Sequence, residues 1–305
     1  MLWDAISSRP RLSALLGALC IAFSGIFYRF ANESPSTGTF FRAAYGLPIL
    51  AMLAWLERRR YGPLPGGTVR LAVLAGVFFA GDLLFWHHAI EAVGAGLATV
   101  LGNLQVVLVG VAAWLLFGER PARATLLALP ILLVGVLLIS GAVGAGAYGA
   151  DPVLGVAFGL VTAVCYSGYL IVMRRGGARD VRRPAGPVAV ATASIAIVAA
   201  LAGLVVGDLR VAPSWPAHGW LLAYGVTSQS IGYLLIALSL PRLPSVVTSI
   251  ILLVQPVATV ALAMILLGEA PSPAQLAGVA LVIGGIAFAT VPIARVRDAI
   301  RATAA

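Results

Sequence analysis

The sequence predicts an all-α integral membrane fold, with ten transmembrane helices in two inverted five-helix repeats around a central cavity. Three observations carry that expectation. Apolar residues make up 61% of the 305 and charged residues only 10%, with a mean hydropathy of +1.01; a soluble domain is about half apolar and a quarter charged. Apolar runs of roughly 18 to 23 residues, each enough to cross a bilayer core, recur along the whole length. A pentapeptide, FGERP (Phe117 to Pro121), returns 150 residues later as LGEAP (Leu267 to Pro271).

The runs define spans over 12–31, 37–56, 69–90, 95–117, 125–144, 154–174, 187–207, 219–239, 245–267 and 275–293. Pro/Gly-rich breaks such as GPLPGG and APSWPAHG separate several of them. The first span follows Arg9 and Arg11, is long for a cleaved signal, and has no convincing cleavage site. Leu19 before Cys20 is too bulky for a lipoprotein signal. Cys20 and Cys165 each fall inside a span, which makes them packing thiols rather than a disulfide or metal pair.

A net charge of +9 would suggest nucleic acid in a soluble protein. Here all twenty basic residues are arginines, concentrated at the span ends. Ten spans put both termini on one face. Seventeen arginines fall on that face: Arg9, Arg11, Arg58, Arg59, Arg60, Arg70, Arg120, Arg123, Arg174, Arg175, Arg179, Arg182, Arg183, Arg242, Arg295, Arg297 and Arg301. Only Arg29, Arg42 and Arg210 fall toward the other. The positive-inside bias predicts cytoplasmic termini.

The offset of 150 also aligns Gln105 with Gln255, Val107 with Val257, Ala113 with Ala263, Leu116 with Leu266, and Gly135 with Gly285. FSG (Phe23 to Gly25) resembles YSG (Tyr166 to Gly168) at a slightly shorter offset. The repeats are expected over 1–150 and 151–305. Each holds five spans, so the halves insert with opposite orientation, and the arginines agree. Arg120 and Arg123 follow the first motif, whereas Ala270 and Pro273 occupy those places in the second. Inverted repeats meeting at a central site are a recurring plan of secondary transporters.

Ten spans in two halves, with a Gly-Glu-x-Pro signature after spans four and nine, resemble the EamA family of the drug/metabolite transporter superfamily over essentially the whole chain. The resemblance implies an inner-membrane carrier exporting amino acids and other metabolites; the family includes an exporter of aromatic amino acids. Members often carry proline in the middle of spans four and nine. This chain has Pro256 in span nine but Val106 at the matching place in span four.

The candidate site follows from the polar residues. Gly118-Glu119 and Gly268-Glu269 read as helix stops followed by a polar residue opening the next helix. Pro256 removes a mid-span hydrogen bond and frees the carbonyl of Leu252. Gln105, Gln229 and Gln255 lie near midplane, as hydrogen-bonding partners between helices or as cavity wall. In AGDLLFWHHAIEA (Ala80 to Ala92), helical spacing puts Asp82 on one face with Phe78 and Trp86, and Glu91 between His87 and His88 on the opposite one. His87, His88 and Glu91 sit near the outer end of span three, where local pairing and anchoring is expected; adjacent histidines suit a metal poorly.

Asp82 lies near midplane, at a depth shared with Arg42 in span two. The two are either a structural ion pair or part of a site. Their counterparts near Gly232 and Thr192 are uncharged, so a site built on them is asymmetric. Its expected wall comprises Arg42, Tyr45, Phe78, Asp82, Trp86, Gln105, Tyr166, Tyr169, Gln229, Tyr233 and Gln255. The expected cargo is a small zwitterion, most readily an amino acid. No cofactor, metal or nucleic acid is expected, the bilayer is the surrounding partner, and one monomer suffices. No phosphate loop supports ATP-driven transport. A membrane enzyme centred on His87, His88 and Glu91 is the competing reading. A channel would repeat its polar residues around a pore, which these unlike halves do not.

Overall fold

Lipid offers the backbone no hydrogen-bond partners, so spans this apolar must form helices. The structure, a computed structural model, describes residues 9–175, 183–239, 242, 243 and 245–290. Arg179, Arg182, Arg295, Arg297, Arg301 and the last residues of the tenth span lie outside them. Among the described residues the regular structure is all helical, in ten units. These are α1 (Pro10–Ala22 and Ser24–Ala31), α2 (Pro35–Tyr61), α3 (Gly66–Val93), α4 (Ala95–Gly102 and Gln105–Phe117) and α5 (Arg123–Ile139). The second half holds α6 (Pro152–Arg175), α7 (Ala185–Val206), α8 (Ala217–Tyr224, the π-helical stretch Gly225–Gly232, and Tyr233–Ser239), α9 (Ser245–Leu266) and α10 (Pro273–Thr290). Seven of them, α1 to α4, α6, α7 and α10, are long and apolar enough to cross a membrane. Their outward faces carry exposed Leu115, Leu201, Leu204 and Val205, which suits contact with lipid.

The strongest contacts between the halves obey the repeat. Helix α2 packs on α7, α4 on α9, and α5 on α10; α3 packs on α6 as α1 does on α8, and α3 on α7 as α2 does on α8. Replacing each helix by the one five places along returns the same set of pairs. A pseudo-two-fold relation between five-helix halves requires that, and an odd number of spans per half makes the relation an inversion.

Small residues let these backbones meet, as helix packing in lipid requires. A Cβ added at Gly278 in α10 would lie 2.6 Å from the carbonyl oxygen of Gly135 in α5. One added at Gly46 in α2 would lie 2.8 Å from the Gln229 side chain in α8. That second crossing controls the candidate site, because Arg42 lies one turn before Gly46.

The two signature glycines end α4 and α9 in left-handed conformation, with φ of +70° at Gly118 and +67° at Gly268. This is the helix stop expected. The glutamates after them behave differently. Glu119 is half exposed, whereas Glu269 is buried and bonds to the start of α4 rather than opening α10. The interruption of regular helix also falls elsewhere than proline suggests. Helix α9 is continuous through Pro256, while α4, with Val106 at the matching place, breaks at Asn103 and Leu104 after Gly102.

Candidate substrate site

Between the halves lies a cavity of about 560 Å³, within the range of small-molecule pockets. Its mouth is formed by Arg174, Arg183, Pro184 and Pro187, at the end of α6 and the start of α7. It therefore opens toward the arginine-rich face. At depth it is lined by Arg42, Asp82, Trp86 and Asn103, with Phe79, Tyr166, Tyr169 and Tyr233 forming an aromatic wall. The wall packs on itself: Phe79 contacts Tyr169 at 4.6 Å and Tyr233 at 5.4 Å between ring centroids.

Eight of the eleven expected wall residues line this cavity: Arg42, Asp82, Trp86, Gln105, Tyr166, Tyr169, Tyr233 and Gln255. Three do not. Phe78 turns toward α6, where a Cβ at Gly168 would lie 2.6 Å from its ring. The cavity face of α3 runs through Phe79, Asp82, Leu83 and Trp86. At about 100° per residue, Phe78 and Phe79 fall on opposite sides of Asp82, and spacing alone did not say which side faces inward. Tyr45 lies across the α2–α8 crossing, with its hydroxyl 2.7 Å from His218 Nδ1. Gln229 is fully buried behind Arg42 rather than in the wall.

Arg42 is held from three directions. Its Nε donates to Gln229 Oε1 (2.8 Å) and its Nη1 to the Tyr224 hydroxyl (2.8 Å). Its guanidinium carbon lies 4.8 Å from the centre of the Tyr224 ring, 5.7 Å from Phe79 and 6.0 Å from Tyr233. Arginine suits this position, being weakly hydrated and able to stack while donating. The π-helical stretch of α8 contributes Gln229, whose Nε2 also donates to Thr192 Oγ1 (3.0 Å). Thr192 is the repeat counterpart of Arg42, so the two equivalent positions meet through one glutamine.

Tyr224 also contacts His87, with its hydroxyl 3.0 Å from Nε2. On the other side of the ring, Nδ1 is 2.9 Å from Thr39 Oγ1, and that hydroxyl donates its single proton to the Pro35 carbonyl (2.8 Å). Counting protons fixes the ring: Nδ1 donates to Thr39, and Nε2 accepts from Tyr224. His87 is thus fully buried, stacked on Tyr28 at 3.9 Å, and not at the surface as expected. Its neighbours are: His88 Nδ1 lies 3.7 Å from Glu91 Oε2, with both side chains nearly half exposed. Glu91 also accepts from the Tyr28 hydroxyl (2.9 Å). These layers fill the molecule on the side away from the cavity mouth.

Asp82 and Arg42 do not form an ion pair. Among the described residues the Asp82 carboxylate has no hydrogen-bond or salt-bridge partner, although its backbone carbonyl accepts from Thr162. Both charged groups therefore reach one cavity without neutralising each other by contact. Ser24 at the α1 break adds to the same lining a buried hydroxyl that has no partner among the described residues. Among the described residues no cluster of His, Cys, Asp or Glu could hold a metal.

Sequence reasoning missed Phe79, Asn103 and Tyr224. Phe79 was available as the i−3 neighbour of Asp82. Tyr224 carries no local signal beyond being the only tyrosine in the outer part of α8. It becomes visible only once a buried guanidinium demands acceptors.

Comparison with known proteins agrees with this architecture. A solved crystal structure 22% identical in sequence superposes over 92% of this chain and 98% of its own, with a TM-score of 0.62, which shows the same fold. No curated protein matches the chain. The profile of the EamA-like transporter family matches twice, over residues 10–141 and 153–291. Two matches that together take in nearly every helix place this chain in the EamA-like transporter family, a family of secondary transporters.

Proposed function

We propose that this transporter exports small zwitterions, most readily amino acids, from the cytoplasm by alternating access. The observation that carries this reading is the Asp82–Arg42 arrangement. An anion and a cation face one cavity without contact, among four aromatic rings. A charge left without a contacting partner at this depth is costly, so a ligand that supplies the missing partner binds with that cost relieved. An ammonium group matches Asp82. A carboxylate matches the guanidinium N–H groups that Gln229 and Tyr224 leave unused. The aromatic wall accepts an apolar side chain. A strongly anionic cargo such as a sugar nucleotide would need several cations at depth, where Arg42 stands alone among the described residues.

The positive-inside bias supports an inner-membrane location with both termini cytoplasmic, and a repeat boundary near residue 150. On that orientation the cavity is open inward, ready to load from the cytoplasm. One monomer holds the whole site. The enzyme reading is set aside by membership in a transporter family and by the separation of buried His87 from surface His88 and Glu91.

The test is counterflow of labelled amino acids in liposomes, with sugar nucleotides as the comparison and a pH gradient imposed or withheld. Amino-acid counterflow that fails in Asp82→Asn supports the assignment. Sugar-nucleotide exchange without amino-acid exchange, or an Asp82→Asn protein with full activity and an unchanged pH profile, contradicts it.

A further inference from the structure

Among the described residues, carboxylates from other helices or loops dock on helix N-termini at three places, besides the local cap that Asp151 gives Leu154 at the start of α6. Glu57, near the end of α2, accepts from the amides of Ala185 (2.9 Å) and Gly186 (2.8 Å) at the start of α7. Asp208, just after α7, accepts from the Ser36 amide (3.3 Å) at the start of α2. Ser36 and Gly186 are repeat counterparts, and Asp208 falls one place past the counterpart of Glu57, so the two contacts correspond at opposite faces, and both are made. Glu269, after α9, accepts from the amides of Ala95 (2.6 Å) and Gly96 (3.1 Å) at the start of α4. Its counterpart is not made. The residue 150 places earlier, Glu119, lies 3.3 Å from Arg174 with half its side chain exposed.

The missing contact has a defined address. Ala95 is the first residue of α4, and Ser245, 150 places on, is the first of α9. The helix packing is lopsided in the same sense. Helix α9 packs on the first part of α4, where a Cβ at Gly96 would lie 3.2 Å from Val260. The later part of α4 and the early part of α9 diverge around the cavity, with Val106, Leu252 and Gln255 in its lining. Where the carboxylate is docked, α4 and α9 touch. Where it is undocked, they part.

We propose that Glu119 and Glu269 are reciprocal positioning residues of the transport cycle. Each holds the N-terminus of the other repeat's fourth helix while its face is shut. In the state seen here Glu269 holds α4. When the arginine-rich face closes, Glu119 leaves Arg174 and docks on the backbone amides at 245 and 246, while Glu269 releases Ala95 and Gly96 to water. The first amides of a helix lack internal partners and carry the positive end of its dipole, so a carboxylate suits them. An exposed Arg–Glu pair contributes little and exchanges readily. The Gly-Glu signature thereby gains a role that a plain helix stop does not give it.

The two conservative variants must act in opposite directions. In a chain with Cys20 and Cys165 replaced, Ala263→Cys reports on the contact beside Gly96, and Val188→Cys on the open cavity. An impermeant maleimide is applied from each face of intact vesicles. Glu269→Gln should raise Ala263→Cys labelling from the face opposite the arginines by about fivefold, the typical worth of a helix cap, and lower Val188→Cys labelling. Glu119→Gln should do the reverse. Glu269→Asp should recover part of the parent pattern, and the double Gln variant should fall between the single ones. Each single variant should lower kcat and leave the substrate KM little changed. Two single variants that shift labelling in the same direction, or neither of which shifts it, would overturn the proposal.

Discussion

Helices α2 and α7 are joined at both faces, by Glu57 and by Asp208, whereas α4 and α9 are joined at one face only, by Glu269. Both pairs straddle the pseudo-two-fold and began from the same kind of duplicated sequence. The difference separates a frame from a gate. A pair fixed at both ends has one arrangement, while a pair fixed at either end alternately has two. Alternating access needs both kinds, and the inverted repeat supplies them because each half offers the same contacts at opposite faces.

The largest effect expected comes from filling a close approach outside the gate, where α10 crosses α5. Gly278→Val forces α10 away from the Gly135 carbonyl, and a core overpacked in this way loses about 1–3 kcal/mol or more. A marked fall in thermal unfolding temperature in detergent is the expected outcome. At the gate, Gly96→Ala meets Val260 and Glu269 at 3.2 and 3.3 Å. It should shift labelling toward the state opened opposite the arginines, with stability nearly kept. A Gly96→Ala protein destabilised as much as Gly278→Val would erase the distinction.

Next in size is Tyr224→Phe, which takes one acceptor from Arg42 and one donor from His87. A hydrogen bond to a charged group contributes about 1.5–3 kcal/mol, so transport should fall by about tenfold or more in a folded protein. Unchanged transport would show that Gln229 and the ring contacts alone hold Arg42. Smaller still are Glu57→Gln and Asp208→Asn. Each should cost about 1 kcal/mol of stability without moving the labelling of either face. A shift of labelling in either would place α2 and α7 in the gate as well.

The frame was more legible than the gate. Apolar run length located all ten helices, and FGERP with LGEAP located the repeat, because both properties are local. Asp82 and Arg42 stood out because charge at depth is costly wherever it points. What sequence could not supply were rotations and partners. Phe78 and Phe79 differ by one position, and only the neighbour Gly168 decides which ring meets the cavity. His87 looked like a surface residue by depth, yet Tyr28, Thr39 and Tyr224 enclose it from three other helices. Pro256 promised a break in α9 that packing kept continuous, and Gly102-Asn103 broke α4 without a proline. Glu119 and Glu269 share a Gly before them and a Pro two places on, yet one lies half exposed beside Arg174 and the other is buried against α4, a difference the shared motif does not carry.

Distances between spin labels test the separation of frame from gate most directly. One pair, at Trp114 and Ile250, spans the divergent ends of α4 and α9; a second, at Leu56 and Val190, spans α2 and α7 at the same face. In Glu269→Gln the account predicts that the Trp114–Ile250 distance shortens as the arginine-rich face closes, while the Leu56–Val190 distance stays as in the parent. Equal changes in both pairs, or a fixed Trp114–Ile250 distance alongside altered transport, would contradict it.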